Sequence, residues 1–266
     1  MNSLVNIFIQ ALIETVYLTG VIIAGGFILG FLRNNSILNF ERSFGMKAVM
    51  ITGFIGVPVH ELSHALAAII FGHKIVDMKL LQKPDQSGVL GYVKHTYNAA
   101  NIYQQIGNFF IGVAPIFGGI TVIIALMRVT MPVEFTNFIT IMKQNLGVTV
   151  LNKGSIHGIL ASNIMAMKTI FSAVNLKNPY FYLFLFIAIC ISSHISLSGA
   201  DMQGAWSGLI SIFMIILVIN IFGLSKYIFN INIVRYNVLM TCFILLAVAF
   251  SCITFLISLI TRVVRI

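Results

Sequence analysis

The chain has 266 residues, of which 59% are hydrophobic and only 9% are charged. Soluble globular domains carry about 25% charged residues, so this composition excludes an ordinary soluble fold and indicates an integral membrane protein. The formal net charge of +9 does not indicate a nucleic-acid partner. The lysines and arginines lie mostly in the connections between apolar runs, where such side chains anchor helices at the membrane surface.

Six apolar runs are predicted to be membrane helices, each of which needs about 20 mostly apolar residues. In chain order they cover residues 5–32, 48–71, 106–127, 181–195, 201–223 and 237–260. The first run is longer than the apolar part of a signal peptide and follows no basic residue, so we expect it to be retained. The fourth run is short for a full span. The sequence therefore predicts an all-α polytopic membrane protein with about six transmembrane helices.

The polar connection between the second and third spans, residues 73–98, predicts a small β-hairpin. Two strand-like stretches, 75–82 and 89–96, flank the sequence Pro-Asp-Gln-Ser-Gly, which is typical of a turn. A longer connection, residues 129–180, includes apolar residues at helical spacing that favour an amphipathic or re-entrant helix. We divide the chain into an N-terminal span with its connection, a membrane core, and a C-terminal connection with its span, at residues 1–47, 48–223 and 224–266.

The second span contains the motif His60-Glu61-x-x-His64, which places three ionisable side chains in an otherwise apolar segment. Ionisable residues within a membrane span mark candidate functional sites. On a helix, His60 and His64 lie one turn apart on the same face, and both imidazoles reach one zinc ion at about 2.0–2.1 Å. Glu61 is turned by about 100° from His60 and is expected to activate a metal-bound water. The alternative, a polar cluster that bonds neighbouring helices, is costly in a membrane.

A catalytic zinc site needs a third protein ligand and an open position, and no such ligand follows the motif closely. The metzincin pattern would require Gly at Ala67 and His at Ile70, and no Glu occurs between Glu61 and Glu134. We favour Asp201, because it begins the fifth span after a Ser-rich stretch that indicates a helix break at membrane depth. Capping of that helix is the alternative role of Asp201, and the two roles are compatible. The remaining acidic and histidine candidates are His73, Asp77, Asp85, His95, Glu134, His157 and His194.

Three further polar residues in or beside apolar runs have open roles. His194 orients a ligand, lines a cavity or simply packs among the helices. Asn108, in a Gly-rich third span, either hydrogen-bonds a substrate backbone or joins two helices. Glu14 either pairs with a Lys or His of another span or marks an entry path.

The motif His-Glu-Leu-Ser-His-Ala in a span is followed by a hairpin, by a span with Gly and Pro, and by an Asp at the start of a later helix. This order resembles the site-2 protease family of intramembrane zinc metalloproteases, over about residues 57–223. That family usually shows Asn and Pro residues followed by Leu-Asp-Gly, whereas this chain reads SSHISLSGADMQGAW. The resemblance implies that His60, His64 and Asp201 bind one zinc ion per chain. It also implies that Glu61 is the general base.

The resemblance further implies a zinc-dependent metalloendopeptidase that cuts a peptide bond in or near the transmembrane segment of a membrane-protein substrate. A catalytically silent scaffold or transporter component with the same fold is the alternative, and a metal transporter with Glu14 as a relay is a third. We expect membrane lipid and a transmembrane substrate as partners, no nucleic acid, and the plasma membrane of a bacterium as the location. Basic residues after the first span favour an external N-terminus, whereas the resemblance implies a cytoplasmic hairpin and zinc site.

Overall fold

The computed structural model describes residues 2–84, 88–148, 150, 152–225 and 233–264. Its α-helices are α1 (Asn2–Phe44), α2 (Met46–Ile70), α3 (Ile102–Thr130), α4 (Pro132–Asn145), α5 (Lys153–Ile170), α6 (Pro179–Ser192), α7 (Gly199–Ile221) and α8 (Ile233–Val264). A hairpin of strands β1 (Lys74–Lys79) and β2 (Tyr92–Thr96) lies between α2 and α3, and a 3₁₀-helix (Asn175–Lys177) precedes α6.

Within the described ranges, six helical segments are long and apolar enough to cross a membrane: Leu4–Phe44, Met46–Ile70, Ile102–Thr130, Lys153–Lys177, Gly199–Ile221 and Ile233–Val264. This result agrees with the predicted largely helical, multi-pass membrane fold. The fourth segment differs from the prediction. Helix α6 has 14 residues, or about 21 Å of helix, which is shorter than the hydrocarbon core of about 30 Å. The segment of span length lies instead within the predicted connection 129–180, which is helical over most of its described residues.

Helix α1 continues well beyond the predicted end of the first span at residue 32. After residue 32, no Pro or Gly interrupts the helix until Gly45, where a φ of 69° ends it. The polar second half of α1 packs against α8. There the Asn39 side chain donates to Oγ of Ser258 at 3.1 Å and accepts from Nη1 of Arg262 at 3.2 Å. These bonds explain how a polar stretch remains helical beside an apolar span.

The predicted hairpin is present, with shorter strands than expected. β1 and β2 pair antiparallel from Lys74–Thr96 to Lys79–Tyr92, with one irregularity near Ile75. The predicted turn is only partly described, because residues 85–87 lie outside the described ranges. Leu90, just before β2, is buried in one apolar cluster with Val57 of α2. This contact holds the hairpin beside the helix that carries the His-Glu-x-x-His motif.

Helices α2 and α6 approach each other closely at Gly56. A Cβ atom on Gly56 would overlap the backbone oxygen of Cys190 and lie 2.6 Å from Cδ2 of His194. Small residues permit such approaches between membrane helices. Because Gly56 lies one turn before His60, this contact sets the distance between the motif and the end of α6.

We expect Gly56→Ala to lower the free energy of unfolding by about 1–3 kcal/mol, because the backbone of α6 must move to admit the methyl group. Gly158→Ala is the matched control. No atom lies within 4 Å of a Cβ at Gly158, and alanine favours a helix over glycine by about 1 kcal/mol. Thermal unfolding of the detergent-solubilised variants measures both effects. Equal melting temperatures for the two variants would contradict a close contact at Gly56.

Candidate metal centre

Two histidines of α2 and one aspartate of α7 converge on a common point. The Nε2 atoms of His60 and His64 are 3.1 Å apart. The Asp201 carboxylate places Oδ1 3.1 Å from Nε2 of His64 and Oδ2 3.7 Å from Nε2 of His60. Within the described residues, no other group of three or more His, Cys, Asp or Glu side chains is placed to share a metal ion.

Backbone carbonyl groups hold both imidazoles in a fixed orientation. Nδ1 of His60 lies 2.9 Å from the carbonyl oxygen of His194, and Nδ1 of His64 lies 2.8 Å from that of Ile111. A carbonyl oxygen only accepts hydrogen bonds, so each Nδ1 carries a proton, and Nε2 of each imidazole presents a lone pair when the ring is neutral. Contacts of this kind fix the tautomer and ring orientation of metal-binding histidines.

The three donor groups fit a zinc ion. Imidazole nitrogens and a carboxylate oxygen bind zinc at about 2.0–2.2 Å. Tetrahedral coordination at such lengths separates neighbouring donors by about 3.3 Å, which is close to the 3.1 Å from His64 Nε2 to His60 and to Asp201. Two nitrogen lone pairs at this distance repel unless a cation or a proton lies between them. Three protein ligands would leave the fourth position open, as a catalytic zinc site requires.

A break between α6 and α7 brings Asp201 to the histidines. Ser198 is the N-cap residue of α7, and its backbone N–H donates to Oδ2 of Asp201 at 2.8 Å. The backbone N–H of Asp201 in turn donates to Oγ of Ser198 at 3.1 Å. This reciprocal pair is a capping box. The capping role considered for Asp201 is therefore present, and the same carboxylate also faces the two histidines.

A cavity of about 1270 Å³ surrounds the cluster. It is bounded by α1, α2, β2 with the loop before it, α3, the connection from α6 to α7, and the start of α7. Glu61 lines this cavity and is 7% exposed. It packs so tightly on the loop that a Cβ on Gly91 would lie 2.9 Å from Cγ of Glu61. A carboxylate, a candidate metal site and an accessible cavity thus adjoin one another, which is the arrangement that a hydrolytic site needs.

The other two predicted site residues also line this cavity. His194 contacts the cluster through its backbone carbonyl, whereas its side-chain Nε2 lies 3.4 Å from Oγ1 of Thr52. Asn108 is buried on α3, and its Nδ2 atom has no hydrogen-bond partner among the described residues. Asn108 is therefore an open donor beside the cluster and does not use this amide group to join two helices.

Sequence reasoning missed the contribution of α1 to the cavity. Arg33, Asn34, Ile37, Leu38 and Glu41 line it, although the first span was predicted to end at residue 32. The available signal was Arg33, which is the first basic residue of the chain and directly follows the apolar run.

Two histidines of the connection between α2 and α3 pair with each other. Their Nδ1 atoms, in His73 and His95, are 2.9 Å apart, and Nε2 of His73 lies 2.8 Å from the backbone oxygen of Gln104. Burial lowers the pKa of His95 below its ordinary value, and the nearby His73 and His64 add to this effect. The hydrogen bond between the two imidazoles joins the start of the hairpin to β2, and the bond from Nε2 of His73 to Gln104 joins it to α3.

The remaining candidates for the third ligand have other surroundings. Asp77 accepts a hydrogen bond of 2.6 Å from a tyrosine hydroxyl of β2, and Glu134 accepts one of 2.8 Å from an asparagine after α5. His157 is exposed on α5, and Asp85 lies outside the described residues. None of the three described residues belongs to the cluster.

Glu14 is buried at the contact between α1 and α7. Its carboxylate accepts hydrogen bonds from Nε2 of Gln10 at 2.8 Å and from Nδ2 of Asn220 at 2.7 Å. Both carboxylate oxygens thus have partners within the helix bundle, which corresponds to the structural pairing considered for this residue. The partners are amides and not the cations first considered.

Comparisons with known proteins do not identify a relative. No protein-family model matches the chain, and no curated protein or solved structure matches it at a significant level. The resemblance to site-2 proteases therefore stays a prediction, and the functional conclusion depends on the geometry of the site.

Proposed function

We propose that the chain is an intramembrane zinc metalloprotease that hydrolyses a peptide bond in or near a transmembrane segment of its substrate, in the plasma membrane of a bacterium. One observation carries the proposal. His60, His64 and Asp201 direct donor atoms at a common point, and Glu61 lies beside them in a large cavity. Six candidate membrane spans in the same chain favour a substrate that is itself embedded in the membrane.

Zinc would be held by Nε2 of His60, Nε2 of His64 and the carboxylate of Asp201. When bound, zinc supplies a Lewis acid that polarises the scissile carbonyl and lowers the pKa of a coordinated water. The hydrogen bonds from both Nδ1 atoms to backbone carbonyls keep the imidazoles in the required tautomer. Little reorganisation is then needed when the metal binds.

Glu61 is the proposed general base. It follows His60 directly on α2, and is therefore turned by about 100° from the line of the two imidazoles. During hydrolysis the water oxygen bonds to the carbonyl carbon, and Glu61 accepts the proton that the water loses. As the carbon–nitrogen bond breaks, Glu61 gives this proton to the leaving amine. The carboxylate is thus regenerated in each cycle.

The substrate backbone must be extended at the cut, because a helical carbonyl is already hydrogen-bonded within its own helix. Strand β2 borders the cavity and pairs only with β1 among the described strands. Its second edge therefore suits the addition of a substrate strand. The open Nδ2 donor of Asn108 would hydrogen-bond a carbonyl oxygen of that strand.

A catalytically silent scaffold or transporter component is the second candidate function. Glu61 favours the protease over this alternative, because a site that only binds metal does not need a carboxylate beside its ligands. The transporter with Glu14 as a relay has less support, since both oxygens of Glu14 are hydrogen-bonded at the contact of α1 with α7.

Removal of the metal tests the proposal directly. We expect the purified protein to lose cleavage of a pool of transmembrane-segment peptides after chelation, and to regain it with about one equivalent of zinc, the content of a mononuclear site. Products are identified by mass spectrometry, and zinc is measured by elemental analysis. Treatment with a non-chelating analogue is the control. Cleavage by zinc-free protein would contradict the proposal, and a zinc-loaded protein that cuts no peptide would favour the scaffold.

A further inference from the structure

Arg33 stands in the part of the cavity wall that α1 contributes. Its Nε atom is buried and has no hydrogen-bond partner. Among the buried side-chain nitrogen and oxygen atoms of the described residues, only Nδ2 of Asn108 shares this property. Its Nη1 atom makes one long contact of 3.4 Å with Oδ1 of Asn34. The guanidinium lies close enough to Asp201 to interact electrostatically. The ion pairs found among the described residues, however, join Asp201 to the two histidines and not to Arg33.

No acidic side chain of the described residues forms an ion pair with Arg33. A buried charge loses hydration, and the loss is costly unless another group replaces the water. Asp201 is poorly placed to do so, because its oxygens already face the N–H of Ser198 and both histidines. A zinc ion bound to Asp201 would further reduce the negative charge that this carboxylate offers to Arg33. The open Nε–H donor and the positive charge are thus left for a group that enters the cavity.

We infer that Arg33 binds a carboxylate of the substrate, so that the site prefers a peptide with a negative charge near the bond that is cut. This inference rests on the proposed function. The guanidinium is a rigid planar donor that binds carboxylates through two parallel hydrogen bonds. Such a pair would satisfy the open Nε–H and compensate the unpaired charge. Asn108 would then recognise the backbone of the substrate, and Arg33 would recognise its negative charge.

The other cationic side chain in the described cavity wall is Lys94 of β2. Its Nζ atom lies over the ring of Tyr92, 4.9 Å from the ring centre, and this contact already supports its charge. Three acids line the cavity, namely Glu41, Glu61 and Asp201. Of the two basic side chains in the described wall, Arg33 is therefore the one with a buried donor that has no hydrogen-bond partner. The incoming carboxylate belongs either to an acidic side chain of the substrate or to its C-terminus.

Paired peptidyl hydroxamates distinguish these sources. The hydroxamate anchors each probe to the metal, and the two members of a pair differ only in carrying a carboxylate or a carboxamide. One set exchanges Asp for Asn within the peptide, and the other exchanges a free C-terminus for an amidated one. Calorimetry on the zinc-loaded full chain in detergent gives the affinities. We expect the carboxylate member of at least one set to bind about 10-fold tighter or more.

Arg33→Gln is expected to remove this preference. Arg33→Lys is expected to reduce it, because an ammonium group keeps the charge but loses the planar pair of donors. Arg42→Gln is the matched control, since Arg42 is an exposed arginine of the same helix, and it should keep the full preference. Zinc content and melting temperature, measured for every variant, report whether the site and the fold are intact.

Equal affinity of the wild type for both members of every pair would overturn the inference, as would a preference that survives in Arg33→Gln. In both cases the bound hydroxamates would still support the proposed metal site. If zinc-loaded wild type binds no hydroxamate at all, the proposed function fails, and the inference fails with it. If Arg33→Gln does not fold, Arg33→Lys decides the question, and an undiminished preference in that variant overturns the inference.

Discussion

Glu61→Gln is expected to lower the rate of peptide cleavage by about 10²–10⁴-fold while zinc stays bound. Glutamine has nearly the same shape as glutamate, but its amide does not take up the proton that the attacking water must lose. Because the proposed ligands are His60, His64 and Asp201, the metal content should not change. The measurement combines initial rates on transmembrane-segment peptides with zinc analysis of the same sample.

Glu134→Gln is the control for this substitution. Glu134 lies outside the cavity wall and accepts one hydrogen bond from Asn175, which a glutamine oxygen also accepts. Its cleavage rate should equal that of the wild type. An unchanged rate in Glu61→Gln would exclude Glu61 as the general base. A joint loss of zinc and activity would instead show that Glu61 helps to hold the metal.

His64→Ala is expected to weaken zinc binding more than about 100-fold. Loss of a group that only supports a metal ligand weakens binding by up to about 100-fold, and loss of the ligand itself should weaken it further. His64 occupies the middle of the cluster, because its Nε2 atom lies 3.1 Å from both His60 and Asp201. Removal of this imidazole leaves two of the proposed ligands and an emptied space between α2 and α3. Titration of the metal-free protein with zinc, followed by calorimetry, measures the change.

His157→Ala is the matched control, since His157 is exposed on α5 and is not part of the cluster. This variant should bind zinc as the wild type does. Full zinc affinity in His64→Ala would place any bound metal elsewhere in the protein. Equal losses in both histidine variants would point to nonspecific binding.

Local patterns were enough to predict most of the elements. Long apolar runs predicted five of the six candidate spans, because membrane helices satisfy their own backbone and depend mainly on length and hydrophobicity. The hairpin between α2 and α3 followed from a turn signal between two strand-like stretches. The boundaries were less accurate. The polar half of α1 is helical because α8 supplies partners for Asn39, and a hydropathy pattern does not contain that contact.

The two histidines and the glutamate could be singled out from the motif alone, since a spacing of four residues on a helix brings imidazoles to one face whatever surrounds them. The sequence offered Asp201 only as the best of several candidates. Which carboxylate meets the histidines, and which carbonyls orient them, could be seen only in the packed helices. His60 and the carbonyl of His194 are 134 positions apart, and such a contact depends on how whole helices pack. The open donor of Arg33 could not be predicted from the sequence for the same reason. A donor is known to lack a partner only when the positions of all neighbouring groups are known.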